Sequence, residues 1–343
     1  MRKLLPACLL LLFCACSQPQ GRYVQIFGYA QGGSYTVKLN MEGVALPVEA
    51  IRDSIDALLL QIDTTLSGYN KGSLVSRFNA GQSVPATPLF LDMYEMAYGF
   101  WKRSGGAVDC AAGPLYDAWG FGFKESAFPT EEEVAALLEK GGMDRLPATL
   151  PVSPDGLVDP APLGFPRLNY NAIAQGYSCD LVAAYLYRIG VKDMLVDIGE
   201  IWCDGVNPSG KAWSVGIDRP VDQAEGPSHE LDGVWSSDAK ARGVVTSGNY
   251  RKFYLRDGKK YAHTINPLTG YPVQHNLLSA SVVSARSAAE ADAVATWCMV
   301  VGLQAAQAII RDDPALEAYL ISAAPDGSMT EWASDGFHLR DAL

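Results

Sequence analysis

The passage from strand to helix at residues 279–302 constrains this chain more than any other stretch. Ser279 to Val283 alternates with the two-residue period of a strand, and Ser287-Ala-Ala-Glu290 then opens a run of small and apolar residues. A Ser followed three positions later by Glu is the signature of a capping box, so a helix is predicted from Ser287 to about Gly302. On that helix Asp292 and Thr296 lie one turn apart on one face. A carboxylate one turn from a hydroxyl, inside an apolar segment, suits a hard cation such as Mg2+. A solvated Asp and a Thr bonded back to the carbonyl one turn earlier is the commoner arrangement for any single such pair, and the spacing does not choose between them.

The residues just upstream are equally dense in polar chemistry. Gly243-Val-Val-Thr246-Ser247-Gly248-Asn249-Tyr250 leads to a strand at Phe253-Tyr254-Leu255, a turn at Arg256-Asp257-Gly258-Lys259, and then His263-Thr264-Ile265-Asn266-Pro267-Leu268-Thr269-Gly270. His263 is the candidate general base, because an imidazole titrates near working pH. Its structural alternative is a histidine bonded into the Thr269-Gly270 turn.

Taken in order, Thr-Ser-Gly-x-Tyr, His-x-Ile-x-Pro-x-Thr-Gly and Ala-Asp-Ala-x-Ala-Thr resemble the ApbE family of FAD:protein FMN transferases. The resemblance implies an enzyme that cuts FAD with Mg2+ and attaches FMN through a phosphoester to a Ser or Thr of another protein, releasing AMP. It implies an α+β, T-fold-like, two-lobed architecture of mostly antiparallel sheets with flanking helices, FAD lying in the cleft between the lobes. It also assigns Asp292, Thr296 and the region of Ala172 to the metal, His263 to the base, and Ile265 to packing beside the flavin or adenine.

Further motifs extend the likeness over about residues 28–302. The turn Gln31-Gly32-Gly33, followed by Tyr35, resembles the family's Met-Gly-Thr turn, with Gln31 in the flavin-touching Met position. Gln31 is equally compatible with a solvent-facing turn. Leu66-Ser67-Gly68-Tyr69 and the following Ser73-Leu74 to Asn79 resemble the family's Ser-Thr-Tyr stretch and Ser-x-Leu-x-x-x-Asn, which implies a Tyr69 ring beside the flavin, the alternative being a half-buried loop tyrosine. Gly106-Ala107-Val108-Asp109, then Gly113-Pro114-Leu115 and Trp119-Gly120-Phe121, resembles a dinucleotide contact in which Ala107 and Val108 allow close backbone approach. Asp109 would accept from adenine or ribose there, or else cap its own loop.

Asn169-Tyr-Asn-Ala172-Ile-Ala-Gln175-Gly176-Tyr177-x-x-Asp180 departs most, because Asn169 and Gln175 stand where the family has Asp and Lys. Both positions touch FAD in the family. The exchange removes one negative and one positive charge together and keeps hydrogen-bonding capacity, which leaves the metal as the main neutraliser of the diphosphate. The stretch from Met194 to Ile201 resembles the family's strand ending in Gly-Gly-Glu/Asp, with Glu200 in place of the second Gly.

The N-terminus reads Met1-Arg2-Lys3, an apolar run from Leu4 to Phe13, and Cys14-Ala15-Cys16. The run is too short to span a bilayer and resembles a lipoprotein signal, or failing that an ordinary secretory signal. Residues 1–20 are therefore expected to be a signal peptide and anchor segment with lipidated Cys16, and residues 21–343 the transferase domain. The mature protein would be exported and anchored to a membrane facing the periplasm. Removing Arg2 and Lys3 takes the formal charge from −11 to −13, which, with no basic run, argues against nucleic acid. Cys110, Cys179, Cys203 and Cys298 lack metal-like spacing and read as buried free thiols, although an exported protein could pair two of them.

Periodicity and punctuation predict a strand pair over 22–40, helices over 48–66 and from Pro88 to about Arg103, and a helix capped by Thr130 to Glu133. A Pro-rich connector or hairpin is expected at 147–166, an exposed loop at 221–241 that leaves His229 unassigned, a helix at 303–311, a strand at 316–321 and a last strand near Met329–Trp332. His275 and His338 are expected to be structural or surface residues. The acceptor would be a Ser/Thr site on a redox subunit, such as those of sodium-translocating NADH:quinone reductase or RNF-type complexes. Two alternatives remain: a Mg2+-dependent pyrophosphatase giving FMN and AMP, and a non-catalytic FAD-binding lipoprotein.

Overall fold

The computed structural model describes residues 22–122, 128–221, 231–249, 253–256 and 259–341. The expected signal and anchor segment with Cys16, Tyr250, His229 and the centre of the Arg256–Lys259 turn lie outside them. Among the described residues, no helix is long and apolar enough to cross a membrane.

An eight-stranded sheet organises the chain. In spatial order its strands are Tyr23–Ala30, Gly33–Asn40, Met194–Asp197, Ile201–Asp204, Arg242–Gly248, Leu277–Ser284, Leu316–Ala323 and Met329–Ala333. Every neighbouring pair is antiparallel. The first two strands are joined through Gln31 and Gly32, both at positive φ (53° and 82°). That is the conformation a two-residue hairpin turn matching strand twist demands.

Alternate residues of the central strands feed two cores. Val245, Val282 and Leu320 face the helices Ala288–Val301 and Leu303–Arg311. Val244, Val283 and Ile321 pack with Trp213, Trp235 and Phe337 on the opposite side. A larger core joins Ile26, Val37 and Leu39 to the helices Val48–Leu66, Pro88–Arg103 and Ala174–Arg188. The helix Glu131–Lys140 carries the full capping box expected from Thr130 and Glu133.

Four expectations need correction. The segment 221–241 is not all loop: Leu231–Ser236 is a strand of a second sheet with Ser214–Asp218 and Leu339–Arg340, and it buries Trp235. Leu339–Arg340, not Met329–Ala333, is thus the last strand. Met194 to Ile201 is not one strand, because the chain reverses at Ile198–Glu200 and pairs Asp197 with Ile201. Finally, the capping box at Ser287 is only half formed. The Ser287 hydroxyl accepts from the Glu290 N–H at 3.0 Å, but the Glu290 carboxylate turns away to Arg286, Arg103 and Ser284. A pair of guanidinium groups outbids a backbone N–H for a carboxylate.

Two glycines set the seat of the helix Ala288–Val301. A Cβ on Gly243 would lie 2.5 Å from Ala288 Cα, and one on Gly176 would lie 2.3 Å from the Ala288 carbonyl oxygen. The helix start is thus pressed against both a central strand and the start of the helix Ala174–Arg188.

Candidate active site

A cleft of about 1320 Å3 opens where these elements meet. Its walls come from the Gln31 turn, the end of the helix Val48–Leu66, the loops 108–122 and 169–175, residues 246–248 and 263–265, and one face of the helix Ala288–Val301. Asp292, Thr296, Ala172 and His263 all line it. The sequence had brought the first two together; the fold adds the other two.

Asp292 is 5% exposed, and burial pushes its carboxyl up to about 7. The Gly176 N–H donates to Oδ2 at 3.1 Å and opposes the rise, while the charge of Asp180 adds to it. Among the described residues no Lys or Arg is paired with Asp292. A desolvated carboxylate without a cationic partner is unfavourable unless a cation is supplied. The available donors are all hard oxygens: the Asp292 carboxylate, the Thr296 hydroxyl, and the backbone of the 171–173 turn at Ala172 that precedes the helix Ala174–Arg188. No group of three His, Cys, Asp or Glu able to hold a metal occurs among the described residues. This donor chemistry fits Mg2+, which keeps several waters and needs only one or two carboxylates.

The expected dinucleotide contacts are distributed unevenly. Gln31, Tyr69, Val108, Asp109, Asn169, Gln175 and Ile265 line the cleft, whereas Ala107 is buried behind it and does not. The Gln31 amide donates to the Ser178 hydroxyl, so the turn is fastened to the helix Ala174–Arg188. Tyr69 is 63% exposed, and its hydroxyl accepts from the Asn171 amide at 3.3 Å. Asn169 Oδ1 accepts from the Asn171 N–H at 3.0 Å, and the Gln175 amide donates to the Ile198 carbonyl at 3.4 Å.

Asp109 is engaged locally. Its carboxylate accepts from the Ala111 N–H at 2.8 Å and from the Met143 N–H at 3.1 and 3.2 Å. Burial raises its pKa, and these N–H groups oppose the rise. The loop-capping alternative is the one its bonds display.

His263 sits at the mouth of the short hairpin Ile265–Asn266/Tyr271–Pro272, with its ring centre 6.3 Å from that of Phe121 and the two rings inclined at 66°. Trp119 donates from its indole to the Gly270 carbonyl at 2.8 Å and tethers that hairpin to the end of the short helix Gly113–Ala118. Thr264 donates to Asn249 at 2.6 Å, joining the histidine motif to the end of the strand Arg242–Gly248.

Sequence reasoning named Asp180 only as the end of a motif and gave it no role, because its partners are more than a hundred residues away. It also left Asp63 and Glu200 without a role, although both line the cleft. The four cysteines among the described residues, Cys110, Cys179, Cys203 and Cys298, are buried and form no disulfide, as the thiol reading expects.

Fold and cleft together define an ApbE-type flavin transferase architecture. The flavin transferase ApbE of Vibrio cholerae superposes with a TM-score of 0.76 at 28% identity, covering 92% of this chain and 98% of that one. The apo flavinyl transferase ApbE of Pseudomonas stutzeri gives 0.77 at 29%, covering 92% and 96%. A sequence model of the ApbE family matches residues 32–320, and the chain belongs to that family. The FAD:protein FMN transferase of Haemophilus influenzae is 30% identical over 94% of this chain and 93% of its own length. That of Escherichia coli K12 is 31% identical over 84% and 80%.

Proposed function

We propose that this protein transfers FMN from FAD to a Ser or Thr hydroxyl of a partner protein through a phosphoester bond, releasing AMP, with Mg2+ as the metal. The observation that carries the reading is Asp292, a carboxylate held out of water with no Lys or Arg partner among the described residues, on the wall of the cleft that also presents His263. Its relatives' names supply the flavin.

Asp292, Thr296 and the backbone at Ala172 would hold the metal. Bound there, Mg2+ supplies charge neutralisation for the FAD diphosphate. His263 takes the proton from the acceptor hydroxyl as its oxygen bonds to the FMN-side phosphorus. The bridging P–O bond breaks, and AMP leaves with the bridging oxygen. Asn169 and Gln175 offer neutral amides to FAD, Ile265 and the exposed Tyr69 ring offer apolar surface, and Gln31 fixes the turn above them. The acceptor would be an exported or membrane-bound redox subunit of the sodium-translocating NADH:quinone reductase or RNF type. The enzyme itself would be anchored through Cys16 and face the periplasm.

Incubation with FAD, Mg2+ and an acceptor peptide bearing a flavinylation motif tests this. Peptide mass increased by one FMN phosphoester, together with AMP, is the expected result. AMP and free FMN with unmodified peptide would instead make the protein a pyrophosphatase, and intact bound FAD would make it a carrier.

A further inference from the structure

The donors assigned to the metal come from two helices remote in sequence. Ala172 precedes the helix Ala174–Arg188, whereas Asp292 and Thr296 ride on Ala288–Val301. Something has to fix the distance between them, since a cation with short, near-octahedral bonds tolerates little error.

The two helices meet start to start, and each caps the other. Asp180, from the second turn of Ala174–Arg188, accepts the Ala288 N–H on Oδ1 at 2.7 Å and the Ala289 N–H on Oδ2 at 2.9 Å. In return Asp292, from the second turn of Ala288–Val301, accepts the Gly176 N–H at 3.1 Å. Each carboxylate thus satisfies N–H groups that the other helix leaves open and sits at the positive end of its dipole. Gly176 lets the backbones close to contact at Ala288. Asp180 does not line the cleft.

We propose that Asp180 is a positioning residue for the metal corner: through this reciprocal capping it holds the Asp292–Thr296 face at the distance from the Ala172 turn that one divalent cation requires. This rests on the proposed assignment of Asp292 to the metal. Outer groups that orient a metal ligand typically contribute about 10- to 100-fold in affinity, so Asp180 acts on metal binding more than on chemistry once metal is bound.

The test is Mn2+ binding to FAD-free protein, followed by electron paramagnetic resonance below the melting temperature, for wild type, Asp292→Asn, Asp180→Asn and Gly176→Ala. Asp180→Asn keeps the side chain's shape while losing one acceptor, and Gly176→Ala wedges the helices apart with no change of charge. The expected result is tight binding in wild type, loss in Asp292→Asn, and about tenfold or more weaker binding in both other variants. In turnover, excess Mg2+ should restore most of the Asp180→Asn rate. If Asp180→Asn binds as wild type does, the positioning role is overturned while the site stands. If Asp180→Asn weakens binding and folded Gly176→Ala does not, charge and not placement is responsible, and the proposal falls. If wild type takes up no Mn2+, or Asp292→Asn binds equally well, the site and the proposal fall together.

Discussion

Glu290 and Asp292 stand two residues apart on one helix and are equally buried, at 5% exposure each, yet their surroundings treat them in opposite ways. Burial alone would raise Glu290. Arg286, which donates twice at 2.7 Å, together with Ser284 and Arg103, outweighs it and holds the carboxyl below its ordinary range. Asp313 completes this cluster by pairing with both arginines. Asp292 receives one backbone N–H and faces a second carboxylate, Asp180, itself raised to about 6 by burial. One carboxylate is closed into the fold; the other lines the cleft with no Lys or Arg partner among the described residues. Burial of a charge therefore does not by itself mark a site; burial without compensation does.

The sharpest way to break this contrast is to neutralise each carboxylate in turn. Asp292→Asn should lower turnover by about a thousandfold, since metal charge stabilisation is worth several kcal/mol and each 1.36 kcal/mol is tenfold. It should melt no lower than wild type in metal-free buffer, because the native fold no longer buries an unpaired charge. His263→Ala, on the same wall, should cost roughly 10^2- to 10^4-fold in the rate of flavin transfer with little change in Mn2+ affinity.

Glu290→Ala should do the reverse of Asp292→Asn. Unfolding experiments should show a loss of about 2–3 kcal/mol from the stranded arginines and Ser284, with turnover per folded molecule changed only a few-fold. A smaller effect is expected of Gln175→Lys. A cation near the diphosphate is worth about 1 kcal/mol, so FAD affinity at low Mg2+, read from flavin fluorescence, should rise about fivefold.

The smallest effect concerns His275, a half-buried group answered on both sides. The Leu277 N–H donates to Nδ1 at 3.3 Å, which places the ring proton on Nε2, toward the Met299 carbonyl at 2.9 Å. Burial lowers its pKa from the ordinary 6.5. The unfolded chain therefore takes up a proton first, and stability falls as pH drops below about 6.5. Denaturant midpoints between pH 8 and 5 should flatten in His275→Gln by the share this group contributes.

What was legible in the sequence follows the range of the forces involved. The helices Val48–Leu66 and Pro88–Arg103 announce themselves through apolar spacing, the second also through its Thr87-Pro88 start, and the Gln31-Gly32 hairpin through its turn residues. The Asp292/Thr296 pair needed only helical geometry. Leu231–Ser236 was hidden because Asp232 and Gly233 interrupt its pattern and because one of its two partners, Leu339–Arg340, lies a hundred residues on. Glu290 was misread as a local cap because Arg103 reaches it from another helix. Asp180 was silent for the same reason: its role exists only once two distant helix starts touch. Asp109 lines the cleft while its carboxylate accepts from Ala111 nearby and from Met143, a partner too distant in sequence to be foreseen.

Metal titration of the Asp292 and Glu290 variants side by side is the most direct test. Calorimetry with Mg2+ on FAD-free protein should show one site in wild type, the same site in Glu290→Gln within a few-fold, and none in Asp292→Asn. Equal binding by Asp292→Asn, or loss in Glu290→Gln alone, would mean that the uncompensated carboxylate is not the seat of the cation.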